Sequence, residues 1–205
     1  MWRVICLLFG ACAWLRAETL TYWIQPCSAQ ISKQSTCVAG DAELARWAFD
    51  AWDKAARSGI VVATASEPQA RIRLYWTSGQ LRLYGETHPI VVDGKRGAAI
   101  YVNPDVSQLG EEIHAAASHD NLLRDAIVYL TCLHESGHAL GLTHTGKFED
   151  IMYSFGFGGD IVEYFERYRR RLGRREDIQV TSAISAYDRQ RLLELFRKRP
   201  DAALR

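Results

Sequence analysis

Residues 134–144 read His-Glu-Ser-Gly-His-Ala-Leu-Gly-Leu-Thr-His, and this stretch dictates its own local structure. His134 and His138 are four apart, so only a helix stacks both imidazoles on one face. Gly141 then lets the helix stop in a left-handed turn, which a side chain with a Cβ would resist. The chain swings back and delivers His144. Three nitrogens brought together in this way can hold one Zn²⁺ and leave a tetrahedral position open, the arrangement of a catalytic rather than a structural zinc. Glu135, beside the first ligand, is placed to hold and deprotonate a water. One catalytic Zn²⁺ is therefore expected on His134, His138 and His144.

A second signal follows eight residues after His144, where Glu149-Asp150-Ile151-Met152-Tyr153 makes a short apolar turn. The long histidine motif followed by a methionine turn resembles the metzincins, and the interval to Met152 is similar to that of the matrixin branch. Ala48-Phe49-Asp50-Ala51-Trp52 is a further match of this kind, and the likeness extends roughly over residues 19–153 plus the C-terminal helix. It implies an α+β fold, with a twisted five-stranded mixed sheet and two long helices in an upper subdomain. A small lower subdomain with a C-terminal helix would start at about residue 145. The resemblance also makes Met152 a polarisable support rather than a ligand, and Tyr153 and Phe155 candidates for the substrate wall. The implied activity is a zinc endopeptidase that hydrolyses peptide bonds with a zinc-bound water activated by Glu135. Two alternatives stand beside it: a narrow zinc peptidase for small or cell-wall peptides, and a zinc-binding module without proteolysis. Glu135 argues against the second.

Other matrixin features are not evident. Pro26-Cys27 is the one candidate for a cysteine switch, and pairing with Cys37 explains that cysteine better. His88, His114 and His119 fall in no ligand spacing and read as surface histidines. The lone Asp93-Gly94 turn is too sparse for a calcium cage, so calcium is not evident. Ser154 stands where matrixins commonly have proline.

The N-terminus reads as a secretory signal peptide over residues 1–17: Arg3, an apolar run from Val4 to Ala13 too short to span a bilayer, then small residues around Leu15-Arg16-Ala17. The catalytic domain is expected over 18–205, secreted or periplasmic, with no membrane span; a lipid anchor at Cys12 is the lesser alternative. Losing the leader takes Arg3 and Arg16 from the 25 basic side chains and none of the 24 acidic ones, so the mature chain is close to neutral. That balance points away from nucleic acid as a partner. A peptide or protein substrate is the expected partner, met by a monomer. In an oxidising compartment Cys27 and Cys37 are placed to close a disulfide over Ser28–Thr36, with Cys132 buried and free.

Periodicity places strands at Thr19–Gln25, Ile60–Ala65, Ala70–Thr77, Arg82–Val92 and Ala98–Asn103, the last two joined by a turn over Asp93–Gly97. Asp41–Arg57 is a helix with a stripe of Leu44, Trp47, Ala48, Ala51, Trp52 and Ala55. Pro104–Ala117 reads as an irregular or short helical link, and Ser118 or Asp120 can cap the helix that carries the ligands. After the methionine turn, Asp160 caps a helix with a stripe of Ile161, Phe165, Tyr168 and Leu172, ended by Gly173. Six arginines lie within Arg167–Arg175; they read either as a solvated helix face or as a basic rim of the cleft. Asp188 is placed for a capping-box role at the last helix.

Overall fold

The computed structural model describes residues 19–57, 59–64, 66–78 and 84–198. The leader read at 1–17, with Cys6 and Cys12, lies outside the described residues. So do residues 82–83 of the strand expected from Arg82.

Five strands form one mixed sheet in the order β2-β1-β3-β5-β4. They are β1 Leu20–Ile24, β2 Val61–Ala63, β3 Ile72–Trp76, β4 Gly85–Val92 and β5 Lys95–Val102. The first three and β5 run parallel, and β4 runs antiparallel to β5 at the edge. Parallel β1 and β2 need a crossover, and the helix between them supplies it. Antiparallel β4 and β5 need only a tight turn. Asp93 and Gly94 make it with φ of 50° and 74°, the two left-handed residues of a type I′ hairpin. The turn is shorter than expected because Lys95, Arg96 and Gly97 are already paired, with Val92, Val91 and Ile90. Alternation along β3 buries Ile72, Leu74 and Trp76 on one face and leaves Arg73 and Tyr75 half-buried on the other.

Two short pieces depart from expectation. Helix α1, Ala29–Ser35, fills the loop between the cysteines, with the Ser28 hydroxyl accepting from the Ile31 amide. It carries too few apolar residues for periodicity to reveal it. The link before the ligand helix contains α3, Glu111–His119, so Ser118 lies inside a helix and Asp120 is the cap of the next one. Its carboxylate accepts from the Leu122 and Leu123 amides, both at 3.0 Å. The Cys27–Cys37 disulfide is formed and Cys132 is free and buried.

The core lies where α2, Asp41–Ala56, and α4, Asn121–Leu140, pack on the sheet and on each other. Leu44, Phe49 and Trp52 of α2 are fully enclosed, each burial contributing on the order of 1.5–3 kcal/mol. Ala51 and Ala55 of the expected stripe are only half-buried. Polar ties fix the register. The Trp52 indole donates to the Leu133 carbonyl at 2.8 Å. At the other end of the pair the Arg124 guanidinium forks onto Asp41, whose carboxylate is wholly buried. Removing one partner of such a pair costs about 3–5 kcal/mol, because a charge stays buried alone.

After the methionine turn come α5, Ile161–Arg169, a 3₁₀ turn at Arg175–Gln179, and α6, Ala186–Lys198. Helix α5 is capped by Asp160 as expected but stops at Arg169, before Gly173, and Glu163 pairs with Arg170. Two of the six arginines are taken up in ion pairs with other elements. Arg169 pairs with Asp120 at 2.7 Å; Arg175 pairs with Asp125 at 2.9 Å and with Glu43, and donates to the Gly40 carbonyl. They clamp this segment to α2 and α4.

One close approach sets how α4 meets the methionine turn. A Cβ on Gly137 would lie 2.4 Å from Met152 Sδ and 3.0 Å from the Trp52 ring. Gly137→Ala gains about 1 kcal/mol of helix propensity but overpacks a core contact at about 1–3 kcal/mol. The clash is backed by Met152 and Trp52, both fully buried, so it wins. A lower urea midpoint for Gly137→Ala than for the parent protein is expected.

Candidate metal centre

Helix α4 ends at Leu140, and Gly141 follows with φ of 104°. Its amide donates to His138 O, and the Leu142 amide reaches back to Gly137 O at 3.0 Å. This turn brings His144 over the helix end. The Thr145 amide donates to Met152 O at 2.8 Å and the Ser154 amide to Thr145 O at 3.2 Å, closing the segment from His144 to Ser154 on itself.

All three predicted histidines come together. Their Nε2 atoms lie 3.1 Å apart for His134 and His138, 3.1 Å for His138 and His144, and 3.3 Å for His134 and His144. The opposite nitrogens fix the tautomers. His134 Nδ1 donates to Ile151 O at 2.7 Å and His138 Nδ1 to Leu142 O at 2.9 Å, leaving the Nε2 lone pairs facing one another. Burial, with help from neighbouring imidazoles, pushes the His134 ring down to about 3, and burial also lowers His138 and His144. All three shifts favour the neutral ring, the form that metal ligation requires. Tetrahedral zinc with Zn–N of about 2.0–2.1 Å sets its donors roughly 3.3 Å apart, so the donor set fits that ion.

Glu135 packs against β4. It is buried, and burial pushes its carboxyl up to about 7; the Thr87 hydroxyl bond opposes this and the Glu86 charge adds to it. Thr87 Oγ1 lies 2.7 Å from Glu135 Oε2. A cavity of about 250 Å³ opens beside His134 and Glu135. Leu109, Leu130, Tyr153, Phe155, Tyr164 and Phe165 give it a mostly apolar wall. Tyr153 and Phe155 both line it; Tyr153 is buried and its hydroxyl donates to Gly158 O.

Met152 is fully buried and packs on Gly137 between the two helical ligands. Asp188 does not act through the capping box expected of it. Ser185 receives the Asp188 amide, while the Asp188 carboxylate turns inward and accepts from the Ile151 amide at 2.7 Å. Tyr164, Phe165's neighbour, escaped the sequence reading of the helix stripe, though its spacing to Ile161 and Tyr168 fits one. Its hydroxyl donates to Asp150 O at 3.2 Å and Ile151 O at 3.3 Å. Thr87 and Gly85 also went unread, because only the sheet order shows that β4 is the edge facing the ligand helix.

Searches of curated proteins and of solved structures each returned no match. Among protein-family models, the one described as matrixin matches residues 13–157. The match runs from before β1 through the histidine cluster and the methionine turn that packs against it. On that span, well over half its length, the chain belongs to the matrixin family of zinc metalloproteases.

Proposed function

We propose that the protein is an exported zinc endopeptidase, secreted or periplasmic, acting as a monomer on peptide or protein substrates. The observation that carries this reading is the convergence of three imidazole nitrogens beside a buried carboxylate and an apolar cavity. His134, His138 and His144 would hold the ion. Zinc bound there supplies a Lewis acid that polarises a carbonyl and acidifies water.

The residues of the chain do the rest. Glu135 takes a proton from the attacking water as the C–O bond forms, and returns it to the leaving nitrogen as the C–N bond breaks. Its raised pKa suits a group that must both accept and give up a proton near neutral pH. Ile151 O and Leu142 O keep the proton of each helical ligand on Nδ1. The cavity walled by Leu130, Phe155 and Phe165 takes an apolar side chain next to the cut bond, and the aromatic residues after Met152 bound it.

Export is supported by the leader pattern over 1–17 and by the Cys27–Cys37 disulfide, since such bonds persist in oxidising compartments. Among the described residues no helix is long and apolar enough to cross a membrane.

Elemental analysis of the mature chain is expected to give one zinc per molecule, and His138→Ala to lose it. Glu135→Gln should keep the zinc and lower kcat by about 10²–10⁴-fold, measured on casein and short peptides with and without chelator. Wild-type turnover in that variant would sink the general-base assignment. Replacing Cys27 and Cys37 with serine removes a short-loop constraint worth about 2–3 kcal/mol. A lower unfolding midpoint is expected, with the parent protein falling to the same value in reductant.

A further inference from the structure

The feature of β4 that neither the ligand set nor the cavity explains is how closely it holds Glu135. Gly85 and Thr87 are two apart on a strand, so they share the face turned to α4. At Gly85 a Cβ would come within 2.7 Å of both Cγ and Oε1 of Glu135. The carboxylate therefore lies against bare backbone, in space that any other residue would fill. Two positions on, Thr87 Oγ1 lies 2.7 Å from Oε2 and 3.0 Å from the Glu135 carbonyl. On the opposite face, Glu86 and His88 pair with each other at 2.9 Å.

We propose that Thr87 is a positioning residue for Glu135: its hydroxyl, together with the gap at Gly85, fixes the carboxylate in its proton-accepting orientation. This rests on the endopeptidase reading above. A glutamate side chain has several rotatable bonds, and one that lies beside a cavity samples many positions unless it is held. A β-branched threonine offers a hydroxyl of restricted direction. That hydroxyl carries one proton and has two acceptors within reach. While Glu135 is ionised, the hydroxyl donates to Oε2. When the carboxyl carries the proton taken from water, the hydroxyl can donate to the Glu135 carbonyl and accept from the carboxyl O–H. The contact thus survives both states, and the proton still leaves with the departing nitrogen.

The test compares Thr87→Val, which keeps the shape and drops the hydroxyl, with Thr87→Ser, which keeps the hydroxyl. Zinc content, kcat and KM are measured on one peptide. Thr87→Val should retain stoichiometric zinc and KM within about twofold while kcat falls about ten- to hundredfold, the loss expected for one hydrogen bond to a charged group. Thr87→Ser should recover most of that loss. Unchanged kcat in Thr87→Val, loss of its zinc, or a serine variant no better than valine overturns the assignment. If the parent protein binds zinc and cleaves no peptide, the endopeptidase reading falls by itself. The positioning role is then decided by a crystal structure of Thr87→Val: a Glu135 carboxylate that has left Gly85 upholds it, and one that has not moved overturns it.

Discussion

The Ile151 backbone is the point on which the centre depends. Its amide donates to the buried Asp188 of α6 at 2.7 Å, and its carbonyl accepts from His134 Nδ1 at 2.7 Å. The Tyr164 hydroxyl of α5 reaches the same carbonyl at 3.3 Å. Three helices distant in sequence are thereby tied to one residue. The two bonds lie on the peptide groups either side of the Ile151 Cα, so together they fix the position and direction of the carbonyl that His134 meets. The His134 tautomer, and with it the direction of the Nε2 lone pair, is thus linked to a carboxylate on the last helix.

Burying Asp188 is costly, and the surroundings offset that cost in part. Burial pushes its carboxyl up, with the Asp150 charge adding, while the Ile151 amide and Ser185 hydroxyl bonds hold it down. Asp150 itself, fully buried, receives the Thr145 hydroxyl at 2.8 Å, and the Ser185 hydroxyl, 2.7 Å from Asp150 and 3.1 Å from Asp188, is shared between the two carboxylates. Arg191 stands 3.6 Å from Asp188 and donates to Thr143 O at 2.8 Å. These bonds brace both ends of the loop that presents His144 and Met152.

The segment after the methionine turn has two faces with different jobs. Phe155, Tyr164 and Phe165 face the cavity beside the histidines. Arg169 and Arg175 face away, paired with acids on α2, α4 and the α4 cap. In the sequence these arginines look like a concentrated positive field. In the fold, Asp120, Asp125 and Glu43 take up Arg169 and Arg175, and the effect of those two is mechanical. A run of like charge says little about a surface until the opposing charges from other elements are placed.

The sequence alone determined what is local. His134, His138, Gly141 and His144 prescribe a helix, a left-handed stop and a return, because i, i+4 geometry and a positive φ leave few ways to join them. The alternating strands, the stripe of α2, the Asp120 cap and the Cys27–Cys37 bridge were legible for the same reason: each follows from contacts a few residues apart. The tertiary structure decided what depends on elements far apart in the chain. Sheet order put Gly85 and Thr87 against Glu135; α6 turned Asp188 from a cap into a buried anchor; and acids from two other helices claimed Arg169 and Arg175. Such pairings are chosen by the packing of whole elements on one another, and no periodicity within a single element carries them.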